Sequence, residues 1–197
     1  MNWKLAVSFG VAAAGAGATA FALDDTATQE VGGHRFAIPK ERLFEDAIPW
    51  LPAPETDSFT FILDQAADPK QIPPHTVSVE PAERACRNER ASQIVRVACG
   101  SERTRLQVGP PYTKVFPHPE YPFAWDYYVG KQPDQLQVAY CTPISPNPAR
   151  PKATAICTTV WGVDNLVLSL GFEERELAEL PSMRARATNM LRSWKLR

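Results

Sequence analysis

The sequence predicts an α+β fold in which a mainly antiparallel sheet is packed by a C-terminal amphipathic helix and crosslinked by two local disulfides. Three features of residues 135–194 support this prediction: apolar residues that alternate with polar ones, a proline-rich stretch between two cysteines, and a final segment with helical periodicity. Proline interrupts most junctions along the chain, which favours short irregular connections over repeated strand–helix–strand units.

Two segments of this region show the period of two that is typical of half-buried strands. The apolar members are Leu136, Val138 and Tyr140 in the first segment and Leu166, Leu168 and Leu170 in the second. A strand between them carries Cys157. Four prolines between Cys141 and Cys157 cannot donate to a sheet, so they predict a stiff loop that joins neighbouring strands.

The segment after Gly171 has apolar residues at spacings of three and four, which predicts a helix that lies on the sheet. Those residues are Leu177, Leu180, Met183, Ala187, Met190, Leu191 and Trp194, and the basic residues Arg184, Arg186, Arg192 and Lys195 are expected to fall mostly outside this stripe. Pro181 would cost about 3 kcal/mol inside a helix. We therefore expect either a kink or a short turn over residues 174–179, followed by a helix that starts near Pro181. Trp194 is expected to be substantially buried.

Earlier parts of the chain predict further strands over residues 31–40, 58–63, 76–79, 93–99 and 125–129. In the first of these, Phe36 and Ile38 lie on one face. The mixed charges of residues 80–91 indicate a solvated short helix or loop that leads into the strand at 93–99.

The first 22 residues have the marks of a secretory signal peptide: a short positive start, an apolar middle and Ala20-Phe21-Ala22 before an acidic pair. We expect cleavage after Ala22, which leaves residues 23–197 as a single α+β domain. The alternative is an uncleaved anchor in the inner membrane. The expected localisation is periplasmic or secreted.

The charge of the expected mature chain is nearly balanced, with 20 basic and 22 acidic residues. This balance provides no field that would hold nucleic acid, so a nucleic-acid partner is not expected. A membrane is an expected partner only if the N-terminal segment stays uncleaved.

Four cysteines in an exported chain indicate disulfides, and three pairings are possible. The local pairing, Cys86–Cys99 with Cys141–Cys157, fits best because the second pair lies on strands that are expected to be neighbours. The cysteine and histidine spacings do not match a metal site, so no metal and no cofactor are expected.

Residues 110–125 gather aromatic side chains among prolines, which allows two interpretations. The stretch is either a cover over one end of the core or a preordered surface that offers aromatic anchors to a partner. Tyr112 and Phe116 are expected among its exposed members. The candidate partner-binding residues are Tyr112, Phe116, His118, Tyr121, Phe123 and Trp125.

No nucleotide, metalloprotease or nucleophile-elbow motif occurs in the sequence. An unrecognised hydrolase-like site around His118, Asp126 and Tyr127 is the enzymatic alternative. No catalytic residue is assigned by the motifs.

Residues 33–40, which read Gly-His-Arg-Phe-Ala-Ile-Pro-Lys, and the tail with Cys157, residues 166–172, Leu177 and residues 191–194 resemble small exported proteins of Gram-negative bacteria. Some of these are encoded beside type VI secretion effectors, where they resemble periplasmic immunity proteins. The resemblance covers the two ends of the chain and transfers no contact residue. It implies a non-enzymatic periplasmic binding protein whose partner is a protein. The specific function that the resemblance suggests is that of an immunity protein, which inhibits a secreted toxin.

Overall fold

The computed structural model describes residues 25–44, 57–66, 73–87, 93–100, 109–119, 121–130, 136–145 and 154–197. The expected signal segment lies outside these residues. The described strands are β1 (Thr26–Val31), β2 (His34–Pro39), β3 (Phe59–Asp64), β4 (His75–Pro81), β5 (Tyr112–Val115), β6 (Trp125–Val129), β7 (Leu136–Pro143), β8 (Ala155–Val163) and β9 (Leu166–Glu173). The described α-helices are α1 (Ala82–Arg87), α2 (Gln93–Cys99) and α3 (Leu180–Trp194).

Strands β3 to β9 form one sheet in the order β3-β4-β9-β8-β7-β6-β5. Every pairing in this sheet is antiparallel, which agrees with the predicted class. Strands β1 and β2 form a separate hairpin. Its two-residue turn uses Gly32 and Gly33, whose φ angles of 56° and 74° suit glycine. A Cβ atom on Gly32 would come within 2.8 Å of Leu166 Cδ2, so this turn also needs the small residue for close packing.

The main core lies between the sheet and α3, because alternate residues of the central strands point to that helix. Leu166, Leu168, Leu170 and Phe172 of β9 are fully buried there with Trp161 of β8. The helix contributes Leu180, Met183, Ala187 and Leu191. The β1–β2 hairpin closes the same core with Val31, Phe36 and Ile38, and the backbone of the C-terminal tail bonds to it through Leu196 N and Arg35 O. The predicted common face of Phe36 and Ile38 is therefore confirmed.

The opposite face of the sheet carries a second, smaller core formed with α1 and α2. Ala82 and Ala85 of α1 and Ile94 and Ala98 of α2 bury Val160 and Val167 of the sheet. The central strands are consequently buried on both faces, whereas their alternating pattern predicted one solvated face. The small size of this second core explains why the pattern did not reveal it: threonine, serine and glycine occupy many of the positions on that face.

Both disulfides have the predicted local pairing. Cys86–Cys99 joins α1 to α2, and Cys141–Cys157 joins two residues that are directly opposite each other on β7 and β8. Cys141 and Cys157 are fully buried, so the second bridge is part of the main core.

Residues 93–99 and 112–115 were assigned wrongly from the sequence. Residues 93–99 form helix α2, although Ile and Val favour strands, because Ile94 and Ala98 are four residues apart and face the sheet together. Residues 112–115, predicted as part of an aromatic loop, form the edge strand β5.

Of the two predicted alternatives for the final helix, the structure shows the second, a short turn followed by a helix that starts near Pro181. A 3₁₀ segment over Glu174–Glu179 precedes α3, and Pro181 lies in its first turn, where its missing N–H is not needed. Arg184 differs from the expectation because it is buried. Its guanidinium donates to the carbonyl oxygen of Val160 and lies 5.1 Å from the Trp161 ring centre. Burial lowers the pKa of Arg184 to about 9, with Tyr112 acting in the opposite direction.

Trp194 is half-buried rather than substantially buried, and its ring meets Phe61 edge-on at 5.1 Å. We expect Trp194→Ala to lower the free energy of unfolding by about 2 kcal/mol, because part of the ring already contacts water. Leu191→Ala is the control, since Leu191 is 1% exposed and its loss should cost about 3 kcal/mol or more. Urea denaturation measures both; an equal or larger cost for Trp194 would contradict the burial described.

Candidate functional site

The six predicted partner-binding residues divide into three groups in the structure. Phe116, Tyr121 and Phe123 are exposed to 62%, 45% and 57%. His118 is buried beneath them. Tyr112 and Trp125 are half-buried on β5 and β6, where they pack against the main core, so Tyr112 is less exposed than expected.

The exposed aromatics belong to a short segment between β5 and β6, here named the aromatic loop (the described residues 116–119 and 121–124). Three backbone hydrogen bonds fold it back on itself: the N–H of His118 donates to Ala124 O at 2.8 Å, that of Ala124 to Tyr121 O at 2.9 Å, and that of Tyr121 to His118 O at 3.3 Å. Pro117, Pro119 and Pro122 restrict the chain further. The loop is therefore an ordered platform for its exposed rings.

The His118 ring connects the loop to the sheet. Its centre lies 5.5 Å from the ring of Tyr121 and 4.9 Å from that of Tyr140 on β7, the latter edge-on. Its Nε2 lies 3.8 Å from Asp126 Oδ1 on β6. The loop thus covers part of the sheet while it exposes three aromatic rings.

Asp126 is a fully buried carboxylate beneath this loop. Gln137 donates from Nε2 to its Oδ1 at 2.6 Å, and the Tyr128 hydroxyl also interacts with it. Burial raises the pKa of Asp126, because the charged form loses water, although His118 and the hydrogen bonds from Gln137 and Tyr128 offset part of this effect.

The neighbouring side chains of β6 point to the other face and meet a second carboxylate. Glu174 Oε1 accepts hydrogen bonds from Lys114 Nζ at 2.9 Å, Trp125 Nε1 at 2.9 Å and the Tyr127 hydroxyl at 2.6 Å. Lys114 Nζ also lies 4.1 Å from the Trp125 ring centre. Burial opposes ionisation of Glu174, but the bonds from Tyr127 and Lys114 outweigh it and lower its pKa.

This arrangement separates the residues of the enzymatic alternative. His118 and Asp126 come together, but they are 4% and 0% exposed. Tyr127 belongs to the Glu174 cluster on the opposite face. A substrate would have no access to the His118–Asp126 pair in this structure, so the geometry does not favour catalysis at this place.

Two further groups of polar residues lie outside the aromatic loop. His75 lies between Asp64 and Glu176 at 2.9 and 3.0 Å, where it links β4 to the 3₁₀ segment. A shallow depression of about 280 Å³ beside α1 is lined by Asp57, Pro81, Glu83, Arg84 and Arg87. Across the described ranges, acidic, histidine and cysteine side chains form no group of three that could hold a metal ion.

Sequence reasoning found the aromatic loop but missed the residues that support it. Tyr140 was assigned only to a strand, and Gln137 and Glu174 were not singled out. The alternation of β6 was the available signal, because Asp126 must face away from Trp125 and Tyr127 once the strand is known to begin at Trp125.

A search of solved structures finds an immunity protein of the Stenotrophomonas maltophilia type IV secretion system, with a TM-score of 0.51 and 17% sequence identity. The match covers 88% of this chain and 94% of that protein. The two proteins are similar in fold. At this identity the likeness concerns the fold alone. A scan against protein-family models and a search of curated proteins find no match.

The two carboxylates on opposite faces of β6 should respond to pH in opposite directions. The raised pKa of Asp126 means that its contribution to stability is present at low pH and is lost as pH rises through the folded value. Asp126→Asn should therefore gain stability relative to the wild type as pH rises from below the ordinary range of an aspartate through the raised pKa of Asp126.

Glu174→Gln should behave in the reverse way. Because the pKa of Glu174 is lowered in the folded protein, its carboxylate stabilises the fold at pH above the ordinary pKa of a glutamate, and this stability is lost as pH falls through the folded pKa. We expect a deficit of about 2 kcal/mol at neutral pH that shrinks in acid. Urea denaturation across the pH range measures both variants. Curves that ran parallel to the wild type would show that neither carboxylate has the environment described.

Proposed function

We propose that this chain is a non-enzymatic binding protein that acts as an immunity protein, inhibiting a secreted toxin by contact. One observation supports the contact site above all others. Among the large hydrophobic side chains of the described residues, the exposed ones are Phe116, Tyr121, Phe123 and Leu196, and three of these four lie on the aromatic loop. Exposed aromatic residues that are held in place are typical anchors of protein interfaces.

The order of the loop makes such anchors effective. Binding normally requires the ordering of side chains and loops, at a cost that reduces affinity. The three internal hydrogen bonds and the packing of His118 fix much of this order before any partner arrives. Aromatic side chains have few rotatable bonds, so the remaining cost of immobilising Phe116, Tyr121 and Phe123 is small.

The fold supports the immunity function without establishing it. The similar solved protein is an immunity protein, and the ends of the sequence resemble periplasmic immunity proteins. That solved protein belongs to a type IV secretion system, so it does not support the type VI association that the resemblance implied. The proposal is therefore a secreted toxin as partner, with the type VI association kept as a prediction.

Export of the chain is part of this proposal. The two disulfides are of the kind that persists in oxidising compartments such as the periplasm. Among the described helices, no segment is long and apolar enough to cross a bilayer. Sequencing of protein from the cell envelope should give Leu23 as the first residue; a chain that began at Met1 would indicate an anchor.

The contact site can be tested with the secreted proteins encoded beside this chain's gene, each purified and titrated against it. Phe116→Ala and Phe123→Ala should each weaken the binding of the partner by about 2 kcal/mol or more, roughly thirtyfold in Kd. The melting temperature should change little, because both side chains are mostly exposed. Calorimetric titration and thermal melts give the two quantities.

Leu196→Ala is the matched control, since Leu196 is 42% exposed but lies at the C-terminal tail. It should leave partner affinity unchanged. Loss of melting temperature with intact affinity in the two phenylalanine variants would show that the loop is only a cover. The search would then move to the charged residues of α1, Glu83, Arg84 and Arg87, around the depression.

A further inference from the structure

The buried residues below the aromatic loop offer more than packing. His118 is the buried residue of the loop, and it contacts three separate partners: Tyr121 within the loop, Tyr140 on β7 and Asp126 on β6. Its backbone takes part in two of the three hydrogen bonds that fold the loop. The position of the exposed rings therefore depends on a group that no partner can touch directly.

Burial of a carboxylate costs free energy, so a carboxylate beneath the loop is best explained if it helps to anchor the loop. Asp126 is completely buried, and a leucine or valine at this place on β6 would pack against the loop without the cost of removing a charge from water. The carboxylate instead lies 3.8 Å from the imidazole, close enough for attraction whenever the ring carries a proton. This geometry fits a specific link between strand and loop better than it fits general packing.

We propose that His118 is a positioning residue of the binding surface: through Asp126 and Tyr140 it holds the aromatic loop in the conformation that presents Phe116, Tyr121 and Phe123. This inference rests on the proposed function for its effect on a partner, but its effect on the loop is a property of the free protein. Asp126 of β6, Tyr140 of β7 and Tyr121 of the loop are titratable groups that face His118, and Tyr128 of β6 interacts with Asp126.

The experiment compares His118→Ala with His75→Gln. Both remove a buried histidine that lies beside carboxylates, but His75 links β4 to the 3₁₀ segment and does not contact the loop. Amide hydrogen exchange of the free proteins reports on the loop directly. His118→Ala should raise the exchange rates of Tyr121 and Ala124 at least tenfold and leave those of β8 and β9 unchanged, whereas His75→Gln should leave Tyr121 and Ala124 unchanged.

Chymotrypsin gives a second readout that needs no labelling. It cleaves after aromatic residues but not before proline, and Phe116 and Tyr121 are each followed by proline. Of the three peptide bonds that follow the exposed rings, Phe123–Ala124 is therefore the one that chymotrypsin is expected to cut. His118→Ala should be cut there at least ten times faster than the wild type.

Asp126→Asn separates positioning from general stability. It is expected to be at least as stable as the wild type at pH 7, because it removes a buried charge. If His118 acts through Asp126, this variant should nevertheless increase exchange at Tyr121 and Ala124. Adding Asp126→Asn to His118→Ala should have no further effect on the loop. If the role were in stability alone, loop exchange would rise only in variants whose unfolding free energy falls.

The affinity measurement completes the test. His118→Ala should weaken binding of the partner about tenfold although it changes no exposed residue. Unchanged loop exchange in His118→Ala would overturn the inference. The inference would also be overturned if His118→Ala loosened the loop but left affinity unchanged, while Phe116→Ala did lower affinity. If the wild type binds none of the proteins tested, the proposed function fails, and the exchange rates alone still decide whether His118 holds the loop.

Discussion

The structure around the aromatic loop depends on strand β6, whose alternate side chains face two different buried environments. Trp125 and Tyr127 donate to Glu174, which fixes the 3₁₀ segment and the start of α3 to the sheet. Asp126, between them, faces the opposite side and lies beside His118. A shift of one residue in the register of β6 would exchange these environments and leave each carboxylate without its donors. The pairing of β6 with β5 and β7 and the geometry of the loop are therefore consequences of the same constraint.

The two faces of the sheet use their buried polar groups in different ways. On the α3 face, Glu174 accepts three hydrogen bonds and is stabilised as an anion, and Arg184 satisfies the carbonyl of Val160. On the other face, Asp126 is less well compensated and its pKa rises. Of these two carboxylates, the better compensated one lies on the helix face, and the less favourable one lies under the loop that we propose to bind a partner. Protein surfaces that bind often retain such local costs, because function and not stability selects them.

Much of the fold could be predicted from the sequence because the long segments have clear periods. Strands β7 and β9, the cysteine pairs and the start of α3 near Pro181 followed from local chemistry. Helix α2 did not, because its short β-branched run favours a strand until the sheet below Ile94 and Ala98 is known. The aromatic loop was predicted as a candidate surface, but Tyr112, which was expected among its exposed members, is half-buried, and so is Trp125. Only the boundaries of β5 and β6 show that these two side chains point to the helix face.

The central claim is that a protein partner binds the aromatic loop as a preformed surface. Hydrogen exchange of the chain with and without its partner tests this claim most directly, because it maps contact without any substitution. The account predicts new protection concentrated in residues 112–124, with exchange along α3 and β9 unchanged. Protection concentrated on α1 around Glu83–Arg87, or along the exposed side of α3, with the loop unchanged, would contradict it.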